Sequence, residues 1–561
     1  MPRRPLLVLV LVALAVPVAA APVDSDLAAA RAGGGCHPTG IQPALLDMLT
    51  LVNPEWAPIV NGSTVDSEPV LVHGVVQGMH GDTSGDFPAT HVRADVNHFV
   101  QLDQADAERL ATGNDDGLLH FEWEAGAYPA WAWASPGDRV VGLGRWIFDC
   151  GHPGARPGTC SASAAQQCVV DDDCRPPRCT ACGAAETCVG SHFAYTAELH
   201  PPYATAAIRS GRGAVVSSRA RGHAVPATRA DVWVSADSGG AGDRCIVTHQ
   251  ATDAMLLSVE CFPLAQPIAA LNSRDFAFDL PLPPRPHGAR RALSRVVTYD
   301  TPGGKPARLK LRPRLRGGDP HLHVVVRLKK KVHGQLPTGF AGTIVAGWKN
   351  DPSPLTHVRV TLDALVIENA LRPAEPVAPK TCSTSDTVPC ASAADCPAGE
   401  SCLGVGPVRS WSMQAAVNGE WQEFTGLASV ETGDVVPQAL VYDQYLPPDG
   451  TLHLIAQGVA HECIDALYGK SLATDLTEVG FNKGVACLAS TARSPGDLDV
   501  TYAGPDFGAG DHETASTGGE GGHCSLTTGL LCVVDADCPS GESCTRTGGA
   551  SALRYRIERL S

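Results

Sequence analysis

His91-Val92-Arg93-Ala94-Asp95-Val96-Asn97-His98-Phe99-Val100-Gln101-Leu102 alternates between two kinds of side chain. Val92, Ala94, Val96, Val100 and Leu102 fall on one face. His91, Arg93, Asp95, Asn97 and Gln101 fall on the other, which is the period of a half-buried strand. His98 joins the apolar face, where a hydrogen-bonded core histidine is expected. Runs of the same kind lie on either side: Val70–Gly78, Leu118–Glu124, Arg139–Asp149 and Phe193–His200, parted by turn clusters. Helical periodicity is sparse, and Pro43 to Val52 is the short helix expected. The first region therefore reads as a small β-barrel, OB-like, although a sandwich would give the same pattern.

Further along, Ser210–Thr228 reads as a Gly, Arg, Ser and Ala-rich linker. A second β region follows, with strands expected at Ala230–Ser235, Ser258–Phe262, Asp275–Leu280, Ala307–Leu315, His321–Val332, Gly342–Gly347 and Thr356–Ile367. Leu371–Lys380 reads as a second linker. A third region from about Val408 includes Gly419–Phe424, Gln438–Tyr442, Leu452–Ala456 and a final strand, Ala552–Leu560. The chain is thus expected to be mainly β: a barrel at 36–209, a sandwich at 228–372 and a sandwich at 408–561. Both sandwiches look C2-like. A calcium-binding C2 domain needs loop carboxylates that converge. Asp497, Asp499, Asp506 and Asp511 are at hand, but their spacing matches no such motif.

Arg3 and Arg4 precede an apolar run from Leu6 to Val16, and small residues follow at Val18-Ala19-Ala20. Residues 1–20 have the order of a secretory signal peptide. The run is shorter than the roughly 20 residues needed to span a bilayer, so no transmembrane segment is expected in the mature form. The formal charge is −16, and it becomes two units more negative once Arg3 and Arg4 leave. That balance argues against nucleic acid as a partner.

The 20 cysteines of an exported chain read as disulfides. Cys382, Cys390, Cys396 and Cys402 are spaced C-x7-C-x5-C-x5-C, and Cys524, Cys532, Cys538 and Cys544 repeat that spacing. Asp395-Cys396-Pro397-Ala398-Gly399-Glu400-Ser401-Cys402 matches Asp537-Cys538-Pro539-Ser540-Gly541-Glu542-Ser543-Cys544. A third copy opens at Cys160, Cys168 and Cys174, takes an insertion carrying Cys179 and Cys182, and closes at Cys188. The three cysteine-rich modules therefore occupy 160–188, 382–402 and 524–544. They resemble the four-cysteine repeats, similar to the Dickkopf N-terminal type, that decorate secreted multi-β-domain proteins of myxobacteria. The resemblance covers about 70 of the 561 residues and implies architecture, not activity. Spacing alone leaves the connectivity open. Of the other six cysteines, Cys245 with Cys261 and Cys463 with Cys487 are close enough in sequence to pair. By elimination Cys36 pairs with Cys150.

Two constellations carry chemistry. Gly144-Arg145-Trp146-Ile147-Phe148-Asp149-Cys150-Gly151-His152 ends in a polar corner, and the chain returns from the first cysteine module as Tyr195-Thr196-Ala197-Glu198-Leu199-His200. If the module is only a decorated loop, these segments are neighbouring strands. Glu198 and His200 then share a face about 6.6 Å apart along the strand. Asp149, His152, Glu198 and His200 would suit a divalent metal, and an open position would allow a metal-dependent hydrolase. His91 or Asp95 could add to it, but not both, since positions four apart in a strand lie about 13 Å apart. No organic cofactor is expected.

The second is electrostatic. From Arg285 to Lys331 there are fourteen Lys and Arg against two Asp. Arg308, Lys310, Arg312, Arg314 and Arg316 alternate with Leu and Pro. Beyond the Gly317-Gly318-Asp319-Pro320 turn, Arg327, Lys329 and Lys331 continue the pattern. A hairpin at 307–332 would be apolar on one side and cationic on the other. Its partner is an acidic neighbouring domain or an anionic polymer, such as cell-surface polysaccharide or lipopolysaccharide. G-x-S-x-G, P-loop, G-x-G-x-x-G, H-E-x-x-H and EF-hand patterns are all missing. The leading expectation is a secreted, non-enzymatic binding protein.

Overall fold

The computed structural model describes residues 56–58, 70–83, 95–149, 154–216, 224–234, 244–250, 257–262, 275–328, 338–371, 380–403, 408–467 and 486–560, with short gaps inside several ranges. The expected signal peptide, the helix at Pro43 to Val52, and Cys36 and Cys150 lie outside them. The protein is mainly β. Among the described residues helix is confined to short 3-10 turns such as Gln104–Arg109 and Ala130–Ala132. No helix among them is long and apolar enough to cross a membrane.

Five strands lead: β1 (Val70–Thr83), β2 (Asp95–Leu102), β3 (Leu119–Glu124), β4 (Arg139–Asp149) and β5 (Ala197–Val216). β1 pairs with β2, β2 with β3, β3 with β5, β5 with β4, and β4 with β1, so the pairing closes into a ring. Only the β3–β5 pair is parallel. The alternating pattern explains the ring's filling. Val96, Val100, Phe121, Trp123, Trp146, Phe148 and Leu199 point inward and are buried together. Gly142 makes room for them, because a Cβ there would lie 2.4 Å from the Phe121 ring. His98 is buried on this inner face, as expected, and its Nε2 accepts the Ala134 N–H at 3.1 Å.

The next strands are β6 (Ala224–Val234), β7 (Phe276–Pro281), β8 (Ala292–Thr298), β9 (Arg308–Arg314), β10 (His321–Arg327) and β11 (Thr338–Trp348). Here two boundaries differ from the sequence reading. Ser210–Thr228 is not a linker at its ends: β5 runs to Val216, β6 starts at Ala224, and the two pair across that span. The ring's sheet therefore continues through β6 and β11 to β8. β5 also passes through Pro201-Pro202, which reads as a strand break, by shifting register around Pro202. The small sheet β7–β10–β9 lies over this extension, and Phe276, Leu322 and Val324 share a core with Tyr203, Val232 and Ile344. A separate hairpin pairs Arg244–Gln250 with Leu257–Phe262 and sets Cys245 opposite Cys261.

The last strands are β12 (Thr356–Ile367), β13 (Val408–Val417), β14 (Glu420–Glu423), β15 (Val435–Leu446), β16 (Thr451–Leu467), β17 (Ala486–Arg493), β18 (Leu498–Ala503), β19 (Gly510–Ala515) and β20 (Ser551–Arg559). β12, placed by sequence in the middle sandwich, pairs with β15 and the C-terminal β20. The β15–β12–β20–β19 sheet packs on the β14–β13–β16–β17 sheet through Val358, Val360, Trp411, Met413, Leu452 and Leu553. Asp499 bonds His453 and Asp511 bonds Arg556, so these carboxylates are spent on separate partners.

Each cysteine module is a three-stranded miniature sheet with one topology. The first lies between β4 and β5, the second between β12 and β13, the third between β19 and β20. The disulfides Cys160–Cys174 and Cys168–Cys188 match Cys524–Cys538 and Cys532–Cys544, first to third and second to fourth. The first module adds Cys179–Cys182. Each of these two modules also has a carboxylate clamp. Glu186 accepts the Ala162 and Ser163 N–H groups, and Glu542 accepts those of Leu526 and Thr527.

Candidate functional site

The expected neighbouring strands are neighbours: Glu198 pairs with Ile147 across β5 and β4. What the sequence reading lacked is the second neighbour. β5 is also parallel to β3, with Glu198 beside His120 and Leu199 beside Phe121. Phe121 and Leu199 go inward, so His120, Glu122, Glu198 and His200 share the opposite face.

On that face Glu122, Glu198 and His200 converge. Each offers a ligand atom, and those atoms lie within 4.8 Å of one another. His200 Nδ1 is 3.8 Å from Glu122 Oε1 and 3.9 Å from Glu198 Oε2. All three residues are buried, with 7%, 3% and 7% of their surfaces exposed for Glu122, Glu198 and His200. The other Glu198 oxygen, Oε1, lies 3.2 Å from His120 Nδ1, which fixes the carboxylate's rotation. Burial disfavours charge on His120. The bond to Glu198 and the charges of Glu198, Asp116 and Asp149 together outweigh it and raise the imidazole above its ordinary pKa.

Of the expected set, Glu198 and His200 meet. Asp149 lies close enough to act on His120 but outside the converging trio. His152 and His91 lie outside the described residues, and for Asp95 only the backbone is described, opposite Glu124 and Thr83. Glu122 takes the place foreseen for them. Its signal was present: His120-Phe121-Glu122 has the same two-residue polar spacing as Glu198-Leu199-His200. No local pattern, however, shows that β3 lies beside β5.

The basic hairpin forms as expected. β9 and β10 pair with Arg308 opposite Arg327, Arg312 opposite His323 and Arg314 opposite His321. Leu309 and Leu311 pack inward, and Arg308, Arg312, Arg314 and Arg316 are exposed. The neighbouring charge of Arg312, then partial burial and Arg327, pull the Lys310 pKa down. Lys329 and Lys331 lie outside the described residues. Part of the neutralisation comes from β7 and from Asp275 just before it. Asp279 sits 2.7 Å from His323 and 3.5 Å from His321, and Asp275 is 3.6 Å from Arg327.

A second buried polar cluster, with no counterpart in the sequence reading, joins the ring to the C-terminal sandwich. Arg209, 1% exposed, pairs with Asp138 at 3.0 Å and with Asp231, and donates to the Trp133 carbonyl. Arg229 bonds Asp231 at 2.9 Å and reaches Glu420 of β14. Asn418 and Gly419, with φ of 49° and 82°, form the tight turn that delivers Glu420. A Cβ on Gly419 would lie 2.6 Å from Arg209 Nε. Beside it Trp421 Nε1 donates to Ser135 Oγ at 2.8 Å. No family model, curated protein or solved structure matches this chain.

Proposed function

We propose that this is an exported, non-enzymatic binding protein whose OB-like ring is fastened by a divalent metal ion held by Glu122, Glu198 and His200. The convergence of two buried carboxylates and an imidazole carries the reading. Packed together without a cation, the carboxylates would repel in a low dielectric. The OB assignment is supported by strand order, a closed circuit whose parallel pair joins the third and fifth strands. The ion would pin that parallel seam, where β5 leaves the ring for the second sheet. Hydrolysis is the other chemistry such ligands permit, but it needs a coordination position open to water and substrate. Ligands buried this deeply favour a closed site. Metal analysis of the purified chain tests the reading, with about one ion per molecule expected and a melting temperature lowered by chelator. Metal-free protein whose melting ignores added manganese and zinc would sink it.

The like-charge crowding at Lys310 favours a second surface, the β9 edge, as a site for an anionic polymer such as cell-surface polysaccharide or lipopolysaccharide. Arg308, Lys310, Arg312, Arg314 and Arg316 would carry it, with Arg327 beside them; Lys329 and Lys331, which the sequence adds to the set, lie outside the described residues. Heparin retention should fall on reversing Arg312 and Arg314 to Glu. Unchanged retention would remove the surface from consideration.

A further inference from the structure

We infer that Asn97 completes the metal site as a fourth ligand through Oδ1, making it an oxygen-rich divalent site of the kind that manganese occupies. The inference rests on the metal reading above and deepens it. Asn97 stands opposite Glu122 in the antiparallel β2–β3 pair. The parallel β3–β5 register, continued one step past Leu199 and Phe121, sets Glu122 beside His200. Asn97, Glu122 and His200 thus form one row across three strands, on the face away from the ring's core, with strand spacings of about 4.8 Å. The next row is Phe99, His120 and Glu198. It is closed by the Phe99 ring against the His120 edge, centroids 4.8 Å apart, and by the His120–Glu198 bond. The site therefore faces the Asn97 row.

Asn97 Oδ1 is buried and has no hydrogen-bond partner among the described residues. Of its two cross-strand neighbours, Glu122 cannot supply one, because an ionised carboxylate only accepts, and the side chain of the other, His80, lies outside the described residues. A cation satisfies the amide oxygen and both carboxylates together. Three oxygens and one imidazole form a set suited to manganese, whereas zinc sites are richer in nitrogen and sulfur.

The test uses the full, oxidised chain with Mn2+ as probe, followed by loss of the free-ion EPR signal, and Zn2+ by competition. Asn97→Ala should weaken Mn2+ binding about 10- to 100-fold, the range for supporting groups at metal sites, and Zn2+ less. Asn97→Asp, which adds charge at the same atom, should restore or tighten Mn2+ binding, a gain that misfolding cannot imitate. Glu198→Gln should lose the ion. If Glu198→Gln binds Mn2+ like the parent, the underlying metal reading falls. If it loses Mn2+ while Asn97→Ala and Asn97→Asp both match the parent, Asn97 is no ligand and this inference alone falls. Equal losses of Mn2+ and Zn2+ in Asn97→Ala would overturn the ion class.

Discussion

The ring carries two buried polar clusters, and they are built on opposite plans. At the junction, Asp138, Arg209, Asp231, Arg229 and Glu420 alternate in sign, so each carboxylate lies against a guanidinium. At the seam, Glu122 and Glu198 lie against imidazoles, whose charge depends on pH. Every carboxylate of the junction has a guanidinium partner from the chain itself, and the cluster ties the ring to the C-terminal sandwich through Glu420. The seam holds two carboxylates and a histidine whose ligand atoms converge, the arrangement on which the metal proposal rests. The same burial therefore fastens two parts of the chain in one place and, on the proposed reading, captures an ion in the other.

Truncation separates the two plans by sign. Arg209→Met leaves Asp138 and Asp231 buried without their shared cation, and should destabilise by about 3–5 kcal/mol. The ring's urea transition, followed by tryptophan fluorescence, should shift accordingly. Glu122→Gln removes one of two neighbouring carboxylates. In chelator-treated protein it should leave stability unchanged or raise it, while abolishing the metal-dependent rise. On the proposed metal reading, that rise should be about 2.7 kcal/mol in the parent at a hundredfold excess over Kd. Two losses of similar size in metal-free protein would erase the distinction.

His98 offers a third kind of buried polar group, one kept neutral. Burial, helped by the nearby positive Arg209, lowers its pKa from 6.5 to about 3. The folded ring therefore refuses a proton that the unfolded chain accepts. Stability is complete above pH ~6.5 and falls as pH drops towards 3, by about 1.4 kcal/mol per unit once below the unfolded value. At pH 5 the deficit is about 2 kcal/mol. Unfolding free energies at pH 7 and 5 should differ by that much less in His98→Gln than in the parent. An unchanged difference would mean that His98 is not held neutral.

What could be read in advance divides along the same line. Strands were legible because alternation is local: Arg139–Asp149 and Thr356–Ile367 have the bounds that their patterns indicate. Glu198 and His200 were legible because one strand carries both. Glu122 was not, since its place depends on a parallel pairing between segments 78 residues apart. The Arg209 cluster was hidden for the same reason, its members arriving from four separate stretches of chain. Asn418-Gly419 is the exception, a turn signal present in the sequence that marks where the C-terminal sandwich meets the ring. Boundaries went astray where a sheet ignores chain order, as β12 does by pairing with the last strand.

The smallest effect is expected in the modules, where each carboxylate is held by hydrogen bonds within one small cross-linked unit. Glu542 lies on the third module and accepts the Thr527 hydroxyl at 2.7 Å as well as two backbone N–H groups, at 3.0 Å from Leu526 and 2.7 Å from Thr527. The Thr527 bonds, chiefly, hold its carboxyl below the ordinary value. The contribution is present above the usual carboxylate range and is lost as pH falls through the lowered value. Two disulfides already fix the module, so Glu542→Gln should leave global unfolding untouched. It should speed amide exchange only at Leu526 and Thr527, and the same pattern should follow Glu186→Gln at Ala162 and Ser163. If either variant shifts the global transition, the modules are mechanically part of the sheets that carry them. The contrast between self-contained ornament and shared core would then have to be redrawn.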